Sequence, residues 1–198
     1  MLAKTLVLVV MGSAFGCSPL PYFFTGNQLP DPVLQTIEEH FKGSSPIAIT
    51  LDSRFEGYHI TKVERGANEK WFRDRAGRIF PIGSLFAIYL DQAQRAAFGP
   101  SQGSPHLFKA SLTNADMSYT MKYRFQLTYI DWVELKLTIT TEDAGGNIQP
   151  ITLRREVFVT PSEATQTNPE IRDLALRTAI QQLVFDYLDA LRRASAAR

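Results

Sequence analysis

At 198 residues, with 44% hydrophobic and 21% charged side chains, the chain carries enough apolar material for one core, and 13 Phe, 7 Tyr and 2 Trp give that core bulk. This balance excludes global disorder. Lys and Arg number 21 against 20 Asp and Glu, so there is no general field for nucleic acid, and a single cysteine excludes an intramolecular disulfide or a multi-cysteine metal site.

Residues 1–17, MLAKTLVLVVMGSAFGC, begin with the cation Lys4, continue in an unbroken apolar run from Leu6 to Met11, and end in the small residues Gly12, Ser13, Ala14 and Gly16. That is the three-part pattern of an export signal, and its apolar part is far shorter than the ~20 residues of a membrane-spanning helix. Ala14-Phe15-Gly16-Cys17 resembles the lipobox of bacterial lipoproteins, although an aliphatic residue is more usual at position 14 and a small one at 15. The resemblance implies cleavage before Cys17 and acylation of its thiol and new amino group. More than one acyl chain makes attachment durable, because each buried methylene contributes ~0.8 kcal/mol. Ser18 is not the aspartate that retains such proteins at the inner membrane, so in a Gram-negative host the resemblance implies the periplasmic face of the outer membrane.

Residues 18–30 hold three prolines, a Gly-Asn pair and no charge, which predicts an extended spacer, with Tyr22, Phe23 and Phe24 resting on the domain or the lipid surface or, alternatively, meeting a partner. The expected organisation is a signal at 1–16, a lipidated N-terminus and tether at 17–30, and one α+β domain at 31–194. Asp31-Pro32 reads as an N-cap with proline at the first helical position, and Val33, Leu34, Ile37 and Phe41 share one face, predicting a helix over 32–42. Alternating IAITLD (47–52) reads as a strand, and GYHITKVE (57–64) as a possible hairpin partner. A charged stretch follows to Arg78. Ile82, Leu85, Phe86, Tyr89 and Ala93 then predict a helix over 82–98, stopped by Gly99-Pro100.

HLFKASLTNA (106–115) reads as a strand, and from Met121 to Ile139 the odd positions are apolar except at Asp131. Nineteen extended residues would span ~63 Å, too long for a domain of this size, so a bend, bulge or break is expected near Ile130-Asp131-Trp132. Ala144-Gly145-Gly146-Asn147 predicts a tight turn into ITLRREVFV (151–159). Thr167-Asn168-Pro169-Glu170 reads as a capping box before a helix that carries an apolar stripe from Ile171 to Leu191, with ASAAR as a frayed tail. The order predicts an α+β fold, a mainly antiparallel sheet with helices packed on one face.

The cysteine at the end of the leader, the IAITLD strand, the central helix, the long strand into DAGGNIQ (143–149), its return strand and the final helix opened by NPEIRDLA (168–175) together resemble the YajG-like envelope lipoproteins. The LptE-like assembly lipoproteins share the general plan. The likeness covers roughly 1–17 and 47–193. It implies no enzymatic activity for the first group and assembly of an outer-membrane barrel for the second. The one position that carries over is Cys17. The charged stretch 64–78 departs from both groups.

His40, His59 and His106 fall in separate elements without HxxxH or HExxH spacing, and no GxSxG, GxxxxGK[ST] or GxGxxG occurs; Gly83-Ser84 is followed by Leu85 rather than completing a nucleophile elbow. Carboxylate pairs such as Glu38/Glu39 and Glu142/Asp143 read as solvated faces. No catalytic residues, metal or cofactor are expected. Two features suit binding. Arg65, Lys70, Arg73, Arg75 and Arg78 surround Trp71-Phe72, a mixture fit for anionic headgroups or a protein partner, or alternatively a solvated hairpin with Trp71 turned inward. Asp131 beside Trp132 marks either a ligand cavity or a bulge with a satisfied carboxylate, the second being favoured. The expected function is a lipid-anchored, non-catalytic adaptor or assembly accessory factor with an envelope protein partner. The alternatives are a carrier of lipid or lipopolysaccharide and, less favoured, an envelope hydrolase.

Overall fold

The computed structural model describes residues 20–21, 27–62, 78–99, 106–124, 127–160 and 173–196. Its elements are β1 (Leu20–Pro21), α1 (Asp31–Phe41), β2 (Ile47–Leu51), α2 (Ser53–Glu56), β3 (Ile60–Lys62), β4 (Arg78–Phe80), α3 (Ile82–Phe98), β5 (His106–Arg124), β6 (Leu127–Asp143), β7 (Ile148–Phe158) and α4 (Leu174–Ala196). One sheet runs β2-β5-β6-β7 and a small one β1-β4-β3. The fold is α+β, and the large sheet is antiparallel except where β2 lies parallel to β5.

Helix α4 packs on β6 and β7, α3 lies against α4 and β2, and α1 and α2 flank α3, so the helices share one face of the large sheet. On that face Val133, Leu135, Leu137 and Ile139 of β6 meet Leu176, Ile180, Leu183, Val184 and Leu188 of α4, all essentially without solvent contact. The alternation of β6 and the 3.6-residue stripe of α4 therefore bury each other. Tyr187 brings a polar tip into this layer and satisfies it against Thr141, with 2.9 Å between the hydroxyls; burial pushes the phenol up to about 12.

Register explains the two irregularities of the long hairpin. Arg124 pairs with Leu127 and Met121 with Ile130, and continuing that phase would set Val133 against Ser118 and Leu135 against Asp116. The extra residue Asp131 restores the match, so that Val133 faces Tyr119 and Leu135 faces Met117. A second bulge at Thr113 shifts β5 again, moving its buried positions from Met117 to Leu112, Ala110 and Phe108. The predicted irregularity at 130–132 is thus a bulge. The predicted single strand 121–139 is corrected: 121–124 belong to β5 and 127–139 to β6, with two residues between them.

The hairpin expected between IAITLD and GYHITKVE is also corrected. β2 pairs with β5, while β3 pairs with β4 in the other sheet. The cause is local: the Asp52 carboxylate accepts the Arg54 N–H at 2.9 Å and starts the short helix α2, which drives Phe55 fully into the core. Gly83 at the head of α3 permits this contact, because a Cβ there would lie 1.9 Å from the Phe55 carbonyl oxygen.

Pro30 rather than Asp31 stands at the N-cap of α1; Asp31 is the first helical residue and complements the helix dipole. α3 ends as expected at Gly99, with φ of 71°. α4 continues through Ser195 to Ala196, beyond the expected end, and its predicted cap at 167–170 lies outside the described residues. The segment expected as a spacer is tied to the domain at two places. Leu20-Pro21 pairs in parallel with Arg78-Ile79, and Gln92 of α3 accepts the Leu29 N–H at 2.7 Å and donates to the Asn27 carbonyl at 2.8 Å.

Candidate functional site

The large sheet buries one face and leaves the other uncovered by any described helix. Its outward positions run in cross-strand rows: Asp116, Lys136 and Arg154; Ser118, Glu134 and Glu156; Thr120, Trp132 and Phe158. Arg154 pairs with Glu134, and Thr138 and Thr152 approach each other at 3.4 Å, so much of this face is an ordinary solvated surface.

One end differs. Phe158 is 70% exposed, although its neighbours Val157 and Val159 turn inward. It sits opposite Trp132 with ring centroids 6.3 Å apart, and the Trp132 indole N–H donates to Glu156 at 2.7 Å, fixing the ring. The bulge at Asp131 forms the base of this end. The Asp131 carboxylate accepts from the Thr120 hydroxyl at 2.7 Å and from the Lys122 ammonium at 2.9 Å, while its carbonyl accepts the Val159 N–H at 2.8 Å. Partial burial pushes the Asp131 carboxyl up, but the donors Lys122 and Thr120 outweigh it and hold the group below its ordinary value. The Lys122 ammonium moves upward in return. Asp131 is therefore a satisfied bulge residue, and the cavity reading of this pair gives way to a rigid aromatic platform.

The edge strand β7 is fastened from behind. Arg155 takes an inward position and donates two hydrogen bonds to Asp186 of α4, at 2.6 and 2.5 Å, which raises its affinity for its proton. The platform thus stands on a strand that cannot easily shift in register. Phe158 was missed in the sequence, yet a signal existed: in Glu156-Val157-Phe158-Val159 strict alternation requires Phe158 to face outward.

A concavity of about 680 Å³ lies between β2 and α3, lined by Ile49, Leu51, Ile88, Glu56, Asp91 and Gln92 among others. Two carboxylates in a mixed lining suit neither an acyl chain nor an anionic headgroup. Among the described residues no group of three His, Cys, Asp or Glu side chains is arranged to hold a metal, and no helix is long and apolar enough to cross a membrane. His40 meets Asp189 at 3.2 Å on the α1–α4 seam, His59 lies 3.2 Å from the Gly57 carbonyl, and His106 opens β5, so the three do not converge. Asp189 also receives Arg192 and Arg193; burial raises its pKa, but the Arg192 and His40 contacts leave it lowered.

Of the residues singled out for binding, Cys17, Arg65, Lys70, Trp71, Phe72, Arg73 and Arg75 lie outside the described residues, as do Tyr22, Phe23 and Phe24. Arg78 opens β4, with Leu20 of β1 as its partner on one side and Lys62 of β3 on the other.

The fold and surface define a two-layer α+β protein with one sheet face that no described helix covers. No family model matches the sequence, and no curated protein matches it significantly. Solved structures that it is similar to include a minor lipoprotein from Acinetobacter baumannii, at 12% identity over 75% of this chain and 93% of that one, with a TM-score of 0.34. The rare lipoprotein B from Shewanella oneidensis matches at 8% identity over 76% and 93% of the two chains, TM-score 0.34, and a DUF330 protein from Xanthomonas campestris at 11% over 79% and 91%, TM-score 0.37. Likenesses this distant assign neither a family nor an activity.

Proposed function

We propose that the chain is an envelope lipoprotein, acylated on Cys17 at the periplasmic face of the outer membrane, that acts without catalysis as an adaptor or assembly accessory factor for another envelope protein. The observation that carries this reading is the exported-leader pattern ending on the sole cysteine. A folded body confined to a membrane surface acquires a high effective concentration toward a partner there, so weak contacts suffice. The Trp132–Phe158 platform suits such a contact, since it presents aromatic area without loss of side-chain order.

Labelling with radioactive palmitate tests the anchor: the wild-type chain takes up label and sediments with outer membranes, and Cys17→Ala does neither. Equal labelling of both chains ends this reading. Photo-crosslinking in cells from position 158, with position 138 in the middle of the same face as control, tests the platform. A product unique to position 158 is expected.

A further inference from the structure

The row Ser118, Glu134, Glu156 sets two carboxylates directly opposite each other on β6 and β7, on the sheet face that no described helix covers. Like charges so placed repel unless cations answer them. Arg154 answers Glu134. Among the described residues no cation meets Glu156, whose contact is the indole N–H of Trp132 at 2.7 Å, a neutral donor. Lys122 does not make up the difference, because it is held by Asp131 at 2.9 Å. One negative charge is therefore left over, and its bond to the indole keeps it at the edge of the aromatic pair. The rings beside it are open: Phe158 is 70% exposed, and its plane is tilted by 42° from that of Trp132 at a centroid separation of 6.3 Å.

These three side chains decide what can settle on them. An aliphatic or aromatic group from a partner would cover the rings, but it would also take water from Glu156 and leave a desolvated charge unanswered. An acidic group is repelled. A cation is attracted twice, by the carboxylate and by the negative faces of the rings. Of the two permanently cationic side chains arginine fits better: its planar guanidinium is weakly hydrated, lies flat on an aromatic face and still donates from its edge to a carboxylate, whereas the lysine ammonium is a compact, strongly hydrated point charge.

We infer that the Trp132–Phe158 platform, with Glu156 at its margin, receives an exposed arginine side chain of the partner protein. This rests on the platform being the partner contact proposed above. It gives the contact a sign as well as a shape, so association weakens with added salt and with loss of that arginine from the partner.

The purified chain in micelles of a neutral detergent, labelled with 15N-tryptophan, gives the test. The chain has two tryptophans, and Trp71→Phe leaves the indole signal of Trp132 alone. The probes are N-acetylarginine methylamide, its lysine counterpart and its citrulline counterpart, which keeps the shape of arginine without the charge. Expected is a saturable shift of the Trp132 signal with the arginine compound, binding several-fold weaker with the lysine compound and no response to the citrulline one. Glu156→Gln retains an oxygen to accept the indole N–H, so the signal should stay near its wild-type position while most of the arginine response is lost; Phe158→Ala should weaken that response several-fold. An arginine response that survives Glu156→Gln, one that citrulline or lysine equals, or none at all overturns the inference. Photo-crosslinking in cells from position 118, exposed on the same row, keeps the two readings apart. A product formed equally with Glu156 and with Glu156→Gln leaves a partner at the platform and removes its arginine, whereas no product removes the partner contact and this inference with it.

Discussion

The two faces of the strands β5 to β7 use the same backbone for opposite ends. Inward, Val133, Leu135, Leu137 and Ile139 are excluded from water by α4; outward, Glu134, Lys136 and Thr138 alternate with them and meet solvent. The inward face is compelled, because any polar group there needs an internal partner, as Tyr187 and Thr141 find in each other. The outward face is free to be polar throughout. Phe158 at 70% exposure is therefore a choice that folding does not require, and such a choice points to contact with something else.

The comparison breaks first if the inward face is not what holds the protein together. Leu137→Ala removes a fully buried side chain between the sheet and α4 and is expected to cost about 2–5 kcal/mol in urea unfolding. Thr138→Ala, one residue along and facing out, is expected to stay within about 0.5 kcal/mol. Similar losses from both would mean that the outer face is covered in the working protein. Next in size is Gly83→Ala, which forces a Cβ onto the Phe55 carbonyl and must separate α2 from α3; a loss of about 1–3 kcal/mol or more is expected in the same measurement. Phe55→Leu relieves none of this, since the clash is with backbone.

Much of this inward face was legible from residue order. The stripe of α4, the alternation of β6, the stop at Gly99 and the turn at Gly145-Gly146 all follow from local rules, and each corresponds to a described element. That the strands of the second half form an antiparallel meander was legible, but the place of the first reversal was not, because Arg124-Phe125-Gln126-Leu127 has no glycine, asparagine or proline to announce it. The bulge at Thr113 left a subtler mark. Apolar residues sit at even positions through Phe108, Ala110 and Leu112, then at odd ones through Ala115, Met117 and Tyr119, and a phase slip of this kind in an alternating run signals one extra residue. The partnership of β2 with β5 is non-local, and the local sign against a hairpin with β3 was Asp52, whose carboxylate caps the short helix α2 between the two strands. Of the candidate binding residues, Asp131 and Trp132 were readable from the single break in the apolar series, whereas Phe158 needed the alternation of β7 to be followed to its last residue.

A smaller effect sharpens the boundary between the faces. Asp131 sits where the hairpin changes phase, and Asp131→Asn keeps its shape while weakening the bonds from Lys122 and Thr120; the expected cost is about 1 kcal/mol, since exposed Lys122 is screened by solvent. Its pH dependence identifies the cause. A carboxyl whose pKa is lowered on folding contributes stability that is complete above the unfolded value and is lost as pH falls through the folded one. Wild type should therefore lose stability below about pH 4, and the Asn variant should lose less over that interval. Parallel acid limbs in the two proteins would assign the acid sensitivity to other carboxylates, such as Asp189.

The smallest expected effect on stability bears most directly on function. Phe158→Ser removes an exposed ring whose loss uncovers little of the core, so unfolding should shift by no more than about 0.5 kcal/mol. Trp132 keeps its bond to Glu156, and its fluorescence should move only slightly. If the platform meets a partner, loss of this ring should abolish the crosslink formed from a photoreactive residue at position 118, which is exposed on the same face and leaves the Trp132–Glu156 bond in place, while the crosslinkable protein remains folded and membrane-bound. A loss of stability comparable to that of Leu137→Ala would instead make Phe158 a structural residue, and the aromatic end of the sheet would then need no partner to explain it.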